Sequence, residues 1–152
     1  MENDSTEPKL LELSHDECFA LLGTRQVGRL GVVAEHYPLI LPVNYALERN
    51  VIVIRTGVGT KHSYALHANI TFEVDQIDEV THAGWSVLVK GLAEEITPAH
   101  SDDIVERTMG ADPKPWAPGE HEHWMRLIPH YVSGRRLTPG ALADFFEAAA
   151  YL

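Results

Sequence analysis

The sequence predicts a mainly β fold in which six antiparallel strands close, or nearly close, into a barrel flanked by a few short helices. Apolar and β-branched residues are concentrated in six segments, and a single helix-like excursion separates the third segment from the fourth. The regular alternation of strands and helices that builds a parallel α/β sheet is absent. Because a barrel of this size fills its own interior with side chains, any sizeable ligand is expected in a groove on the outside.

The first half of the chain is read from its cap and turn residues. Residues 1–11 are expected to form a disordered or frayed N-terminus. Ser14 to Glu17 form a capping box ahead of an apolar run, which predicts a short helix that ends at Gly23. Three strands are then predicted as a meander, at 26–34, 38–47 and 51–56.

The second half begins with a predicted helical turn over 60–67. Gly91, inside an unusually long strand, indicates a bulge or bend. Thr97 and Pro98 resemble the cap and first position of a helix. The remaining predicted elements are strands at 69–76, 84–96 and 124–137, a helix at 98–108, a rigid proline-rich loop at 112–119 and an alanine-rich amphipathic helix at 139–152. The barrel domain is expected to span 12–137, with a helical tail over 138–152.

Composition limits the classes of function. The chain has 152 residues and 45% hydrophobic content, which suits one globular domain. Its 22 acidic and 12 basic side chains leave a net charge of −10, which argues against a nucleic-acid-binding surface. A signal-like N-terminus and a membrane-length apolar run are not apparent, so a cytoplasmic protein without membrane association is expected. A single cysteine, Cys18, fits a reducing compartment.

The stretch VIVIRTGVGTK, residues 51–61, places glycines and a lysine between a strand and a helical segment. It is not a nucleotide-binding P-loop, because Gly57 and Gly59 are too close together and Thr60 precedes the lysine. The helix-start amides, the Thr60 hydroxyl and Lys61 nevertheless suit an anion, and Arg55 adds a second positive charge. The alternative is a glycine-stabilised turn with an exposed lysine.

The nine histidines do not predict a metal site. His121 and His123 would share one face of a strand, but the sequence offers no convincing third ligand beside them. No metal is therefore expected.

Six motifs follow one another along residues 12–137: VGRLGVV (27–33), LPVNYAL (41–47), VIVIRTGVGTK (51–61), ITFEVDQID (70–78), GWSVLVKGLAEEI (84–96) and SGRRL (133–137). In this order and spacing they resemble the flavin-binding split-barrel family related to pyridoxamine 5′-phosphate oxidase. The pattern is most similar to the branch of small FMN-binding proteins that includes nitroimidazole-resistance proteins. The resemblance implies a homodimeric split barrel that binds FMN at two sites in the interface.

The resemblance also implies which residues hold the cofactor. Pro42, Val43 and Asn44 match the strand whose backbone runs along the edge of the isoalloxazine ring; the alternative for Asn44 is a satisfied polar residue in a sheet. The ribityl phosphate would be gripped at the end of the third strand and the start of the following helix, by Arg55, Thr56, Thr60 and Lys61.

Further matches lie later in the chain. Trp85 and Ser86 match the strand that reaches the flavin of the other subunit, although Trp85 can equally be interface core. Trp116 is a candidate lid over the ring, or a staple that packs its loop onto the barrel. Arg135 and Arg136 match the family's Gly-Arg-Arg: one is expected to approach the cofactor or a substrate anion and the other to pair with a carboxylate, and Arg135 is taken as the cofactor candidate.

The implied function is a flavin-dependent oxidoreductase acting on a small conjugated substrate. The cofactor would supply the redox chemistry, so a dedicated acid, base or nucleophile need not be visible in the sequence. Vitamin B6 oxidation is not expected, because the further C-terminal substrate-binding motifs of true pyridoxamine phosphate oxidases are not found here. The alternatives are a non-catalytic protein that stores flavin or regulates through it, and a relative that uses deazaflavin or haem.

Overall fold

The structure is a computed structural model that describes residues 7–57, 59 and 64–139. Most of these residues lie in β-strands, as the sequence predicts. The strands are β1 Lys9–Glu12, β2 Val27–Ala34, β3 Tyr37–Asn44, β4 Ala46–Glu48, β5 Val51–Thr56, β6 Asn69–Asp78, β7 Ala83–Glu95 and β8 His123–Thr138, and the helices are α1 His15–Leu22 and α2 Asp102–Ala111.

All strand pairs are antiparallel and form one sheet in the order β3-β2-β6-β7-β8-β5-β4, with β1 added beside β8. The two ends of this order, β3 and β4, are consecutive in the chain and separated only by Tyr45. A bend at one residue therefore brings the sheet back on itself, and the predicted split-barrel fold class is confirmed.

The structure has eight strands where six were predicted, and Tyr45 accounts for one of the two extra strands. Its backbone N–H donates to the carbonyl of Gln26 (3.0 Å), outside the ladder, and its hydroxyl donates to the carbonyl of Leu22 (2.6 Å). Its ring is buried edge-on against Phe72. These contacts split the predicted strand 38–47 into β3 and β4. They also replace the predicted meander of three strands with two separate hairpins.

The other extra strand is β1, in a segment that was expected to be frayed. Lys9, Leu10, Leu11 and Glu12 pair with the last residues of β8, in a register from Lys9 opposite Thr138 to Glu12 opposite Arg135. All four residues are exposed, so no apolar alternation marked them as a strand. Pairing with a long neighbouring strand is what orders them.

The two helices differ in how well their caps were predicted. For α1 the prediction is confirmed: Ser14 Oγ accepts from Glu17 N, Glu17 returns a hydrogen bond to Ser14 N, and the helix stops at Gly23. For α2 it is wrong, because the helix starts at Asp102 with Ser101 as its cap. Thr97 instead forms a turn in which His100 Nδ1 accepts from its backbone N–H (3.1 Å).

The barrel interior is packed closely enough to exclude a ligand. Its largest fully buried side chains include Phe72, Leu30 and Met125. A Cβ on Gly28 would lie 2.3 Å from the Phe72 ring, so only glycine fits there. The predicted irregularity at Gly91 is confirmed by a register shift between Lys90 and Gly91 in the pairing of β7 with β8.

Helix α2 covers one end of the outer sheet face through a buried polar cluster. Arg126 of β8 donates from Nη1 to Thr108 Oγ1 of α2 (2.6 Å), and both of its terminal nitrogens lie 3.3 Å from Glu48 Oε2. Arg126, Glu48 and Thr108 are all buried. Their contacts fix α2 to the sheet and leave the opposite end of the outer face without a helix from the described part of the chain.

Two predicted elements fall wholly or partly outside the described residues: the helical turn at 60–67 and the helix at 139–152. Among the residues that are described, no helix is long and apolar enough to cross a bilayer.

Candidate functional site

A row of polar side chains crosses four neighbouring strands on the outer face of the sheet. Glu12 of β1 pairs with Arg135 of β8, Arg135 with Ser86 of β7, and Ser86 with Asp75 of β6. Residues directly opposite one another across a ladder project to the same face. The row therefore brings together two predicted cofactor residues, Ser86 and Arg135, with a carboxylate at each end.

An apolar row runs beside this polar row, two residues further along each strand. It consists of Leu10, Leu137, Gly84 and Ile77. Gly84 is required in this row, because a Cβ there would lie 2.5 Å from the carbonyl oxygen of Gln76. A cavity of about 560 Å³ is lined by the whole apolar row and, from the polar row, by Ser86 and Arg135. Its size and mixed polarity suit part of a nucleotide cofactor.

Trp85 faces the opposite way from Ser86. It is 9% exposed and packs in the barrel core, and it is also among the residues that line the cavity. Residues that alternate along a strand point to opposite faces, so Trp85 and Ser86 cannot both lie flat against one ligand. Contact between Trp85 and a flavin remains a prediction, and the core position explains its burial within a single chain.

Asn44 connects β3 to the proline-rich loop. Its Oδ1 accepts from the backbone N–H of Trp116 (2.9 Å), which holds that loop beside the end of the strand. The Trp116 ring is 70% exposed, which contradicts the reading of Trp116 as a staple packed onto the barrel. It borders a second cavity of about 500 Å³, whose lining also includes Arg25 and Arg29.

The other two predicted residues of β3 point in opposite directions. Val43 is buried in the core, and Pro42 is exposed on the outer face, opposite Arg29. If Pro42, Val43 and Asn44 contact a ring, the outer side of the strand offers Pro42 and Asn44, together with the backbone.

Arg55 and Thr56 lie at the end of β5, and Arg55 contacts the segment that leads into β8. Arg55 Nη2 donates to the carbonyl of His121 (3.3 Å), and its guanidinium lies 4.6 Å from the centre of the Trp124 ring. Its buried Nε has no hydrogen-bond partner among the described residues. Thr56 is buried and donates to the carbonyl of Gly57 (3.1 Å). The Nε–H group of Arg55 is therefore an unused hydrogen-bond donor, which suits an anion bound at this end of β5.

Thr60 and Lys61, the rest of the predicted phosphate grip, lie outside the described residues. Apart from Trp85, which packs in the core, the predicted residues that are described fall into three groups: Arg55 with Thr56, Pro42 to Asn44 with Trp116, and Ser86 with Arg135. No side-chain hydrogen bond, ion pair or ring contact of the described residues links one group to another. The described residues also hold no group of three or more His, Cys, Asp or Glu side chains placed to bind a metal.

Sequence reasoning took Glu73 and Asp75 as outward-facing carboxylates of a strand, but it did not pair them with Arg29 beside the second cavity. Arg29 Nη1 lies 3.2 Å from Glu73 Oε2 and 3.5 Å from Asp75 Oδ1. Burial raises the pKa of Glu73, the nearby Asp75 raises it further, and Arg29 opposes both. The only signal in the sequence was the alternation of Glu73 and Asp75 along β6, which places both on the outer face.

Replacing Glu73 by glutamine is expected to change how stability depends on pH. Because the folded-state pKa of Glu73 is raised, the native state holds this proton more tightly than the unfolded chain, and stability falls as pH rises above the ordinary glutamate pKa. Glu73→Gln removes that loss, so the variant gains stability relative to the wild type toward neutral pH. The gain should stay under about 1 kcal/mol, because the cluster is partly exposed.

Urea unfolding from pH 4 to 7 measures this effect, and Glu79→Gln, at an exposed position of the following turn, is the matched control. A constant difference between Glu73→Gln and wild type across the range would contradict the assignment.

Comparison with known proteins connects these features to a family. The model of the family described as pyridoxamine 5′-phosphate oxidase matches residues 14–136. A curated relative, the uncharacterized protein Rv0080 of Mycobacterium tuberculosis, is 27% identical over 136 residues, which cover 86% of this chain and 87% of the relative.

Solved structures show the same architecture. The FAD binding protein from Mycobacterium smegmatis superposes with a TM-score of 0.72 and is 31% identical, over 83% of this chain and 98% of that protein. A FAD-binding protein from Mesorhizobium loti has a TM-score of 0.67 at 24% identity, over 87% of this chain and 99% of its own. The second likeness concerns the fold alone, because its identity is low.

Proposed function

Because the chain belongs to the pyridoxamine 5′-phosphate oxidase family of flavin-binding split barrels, we propose that it binds a flavin nucleotide on its outer sheet face. The observation that carries the proposal is the pair formed by Ser86 and Arg135. The two residues are direct neighbours across β7 and β8, and both line the cavity of about 560 Å³. A hydroxyl and a guanidinium side by side suit a phosphate or a ribityl oxygen.

FMN is the cofactor that we propose, and FAD is the second candidate. FMN needs a grip for one phosphate, which Arg55, Thr56, Thr60 and Lys61 would supply at the end of β5. FAD is favoured by the similarity to the FAD binding protein from M. smegmatis. Both molecules contain the same ring, ribityl chain and first phosphate, so the grip proposed for that part applies to either.

Arg135 and Arg136 provide a matched pair for testing this site. Their side chains project to opposite faces of β8, because Arg135 pairs with Ser86 and Arg136 with Trp85. Arg135→Ala is expected to weaken flavin binding about fivefold, equivalent to about 1 kcal/mol for an exposed charged contact. Arg136→Ala should leave binding within twofold of the wild type.

Fluorescence titration of cofactor-free protein with FMN and with FAD measures both variants. Equal affinities for Arg135→Ala and Arg136→Ala would remove Arg135 from the site.

We also propose that the flavin site is completed by a second copy of the chain. In the described part of one chain, the outer face around Ser86 and Arg135 has no covering element, and the cavity there is open. An interface between two copies would enclose such a groove.

A dimer is therefore expected in solution. Light scattering at micromolar concentration with flavin present should give a mass near 34 kDa, twice the chain mass of 16.9 kDa. A mass near 17 kDa under these conditions would contradict a site shared between subunits.

The activity that we propose is flavin-dependent electron transfer to a small conjugated substrate. A bound flavin supplies the redox chemistry, and the chain's residues bind it, orient it and exclude water. The exposed Trp116 beside the second cavity offers a planar surface for a conjugated molecule, and Arg25 in the same lining suits an anionic substituent, whereas Arg29 there is already paired with Glu73 and Asp75.

The activity is tested by anaerobic mixing of the flavin-loaded protein with a reduced nicotinamide, followed by addition of a quinone. Bleaching by the nicotinamide and recovery with the quinone at catalytic rates are expected. Bound flavin that neither bleaches nor recovers would instead identify a storage or regulatory protein.

A further inference from the structure

His121 is a half-buried histidine in the segment that leads into β8. Its ring reaches back to the proline-rich loop, where Nε2 lies 2.9 Å from the carbonyl oxygen of Ala117. A carbonyl oxygen can only accept a hydrogen bond, so Nε2 carries the hydrogen of this contact. The other ring nitrogen, Nδ1, is buried and has no hydrogen-bond partner among the described residues.

The contact with Ala117 decides what Nδ1 can do. In a neutral imidazole one ring nitrogen donates and the other accepts, whereas both donate in the imidazolium. Because Nε2 holds its hydrogen, neutral His121 presents only a lone pair at Nδ1, which repels an anion. Protonated His121 presents an N–H group there. A buried nitrogen without a partner is unfavourable, and a ligand that bonds to it removes that loss.

Arg55 brings a second unused donor to the same place. Its Nη2 donates to the carbonyl of His121 (3.3 Å), and its buried Nε has no partner among the described residues. The Nε–H group and Nη2 share one edge of the planar guanidinium, so this edge faces residue 121. Nδ1 is the ring nitrogen nearer to its own backbone, and both unused nitrogens therefore lie beside the backbone of His121.

This backbone packs against the end of β5. A Cβ on Gly57, the residue after β5, would lie 2.6 Å from the carbonyl oxygen of Glu120. The ring of Trp124 lies 4.6 Å from the Arg55 guanidinium and fixes its plane. The two unused nitrogens thus lie where β5 ends, which is the position proposed for the phosphate of the flavin.

The charges around His121 make its protonation depend on a bound anion. Arg55, which contacts it from β5, opposes a second positive charge, and a phosphate bound to both side chains reverses that effect. The other charged side chains of the adjoining segments are exposed to solvent or already paired: Glu120, Glu122, His123 with Glu95, and Lys114 with Asp112.

We propose that His121 Nδ1 donates a hydrogen bond to the phosphate of FMN beside Arg55 Nε, and that this binding takes up a proton from solvent at Nδ1. The inference rests on the proposed flavin binding, with the phosphate at the end of β5. No covalent bond to the phosphate forms, and the hydrogen on Nε2 stays with the Ala117 carbonyl. The affinity for FMN then depends on pH through His121, whereas the affinity for riboflavin does not.

Fluorescence titration of cofactor-free His121→Gln with FMN and riboflavin tests the role of Nδ1. The glutamine amide can still donate to Ala117, but it has no nitrogen at the position of Nδ1. Histidine changes its charge between about pH 5 and 8, so the loss of FMN affinity should be about tenfold at about pH 6 and within about twofold at about pH 8. Comparison with wild type at each pH cancels the ionisation of the FMN phosphate itself.

Riboflavin affinity should stay within about twofold of wild type at both pH values, because riboflavin has no phosphate. His36→Gln, an exposed histidine in the turn between β2 and β3, is the matched control and should bind both flavins as wild type does. Calorimetric titration in two buffers of different ionisation enthalpy counts the protons taken up. Wild type should take up more protons than His121→Gln with FMN, and the same number with riboflavin.

Equal losses of FMN and riboflavin affinity, a loss for FMN that does not change with pH, or equal proton uptake by the two proteins would overturn the role of His121. A wild type that binds FMN no more tightly than riboflavin would instead overturn the phosphate site at the end of β5, and this inference with it. Tight FMN binding by wild type without the expected contrast in His121→Gln would locate the error in His121 alone.

Discussion

Replacing Glu48 by methionine is expected to lower the free energy of unfolding by about 3 kcal/mol, at the lower end of the range for a broken buried ion pair. The substitution leaves the Arg126 guanidinium, whose side chain is 7% exposed, without its closest carboxylate. Thr108 and the more distant Glu94, 3.8 Å from Arg126 Nε, remain as partial compensation. Helix α2 is fixed to the sheet through this cluster, so its amides should also exchange faster.

The double variant Glu48→Met with Arg126→Met separates the ion pair from general packing. Replacing both charges by apolar side chains of similar volume should cost much less than the sum of the two single variants. Lys114→Ala removes an exposed pair with Asp112 and should change stability by under about 0.5 kcal/mol. Denaturant unfolding of the four variants and the wild type measures these differences. Additive effects of Glu48→Met and Arg126→Met would contradict a coupled buried pair.

Replacing Lys61 by alanine is expected to weaken FMN binding by about 1.5–3 kcal/mol, the range for a hydrogen bond to a charged group. Lys61 follows β5 closely in sequence, and at the end of β5 Arg55 has a buried Nε without a partner among the described residues. A phosphate bound by both cations would satisfy that nitrogen. Riboflavin lacks the phosphate, so its affinity should change little in the same variant.

Titrating both flavins against wild type and Lys61→Ala distinguishes a lost phosphate contact from a folding defect. Lys114→Ala, a lysine in the proline-rich loop, is the matched control for the removal of one positive charge. Equal losses for FMN and riboflavin, or no loss for either, would mean that Gly59-Thr60-Lys61 is a turn with an exposed lysine.

Strand positions were readable from the sequence because apolar alternation and turn residues mark them locally. The segments 51–56 and 69–76 and the bulge at Gly91 were located closely, and the capping box of α1 was read from four residues. Such signals depend on neighbours along the chain, which a single sequence displays directly.

Features that depend on contacts between residues far apart in the sequence could not be predicted in this way. The bend at Tyr45 is stabilised by the carbonyls of Gln26 and Leu22, and β1 exists because the end of β8 pairs with it. The start of α2 was misplaced because Thr97 and Ser101 are both plausible caps. The choice of Ser101 is consistent with Asp102 and Asp103 in the first turn, where the helix dipole favours acidic side chains.

The sequence predicted which residues belong to the candidate site, but it did not predict how they are placed relative to one another. The resemblance to a family supplied Ser86 and Arg135, and the register of β7 with β8 made them neighbours on one face. The resemblance also supplied Trp85. Because Trp85 is adjacent to Ser86 on β7, its side chain points to the opposite, inner face, where it is buried in the core. The Arg29 and Glu73 pair was missed because it joins residues 44 positions apart.

The measurement that tests flavin binding most directly is the visible absorption spectrum of the purified protein, combined with mass spectrometry of the cofactor that it releases on denaturation. The account predicts a yellow protein whose released cofactor has the mass of FMN, or of FAD if the second candidate is correct. Released haem or deazaflavin would contradict it. So would a colourless protein that remains colourless after incubation with FMN and FAD.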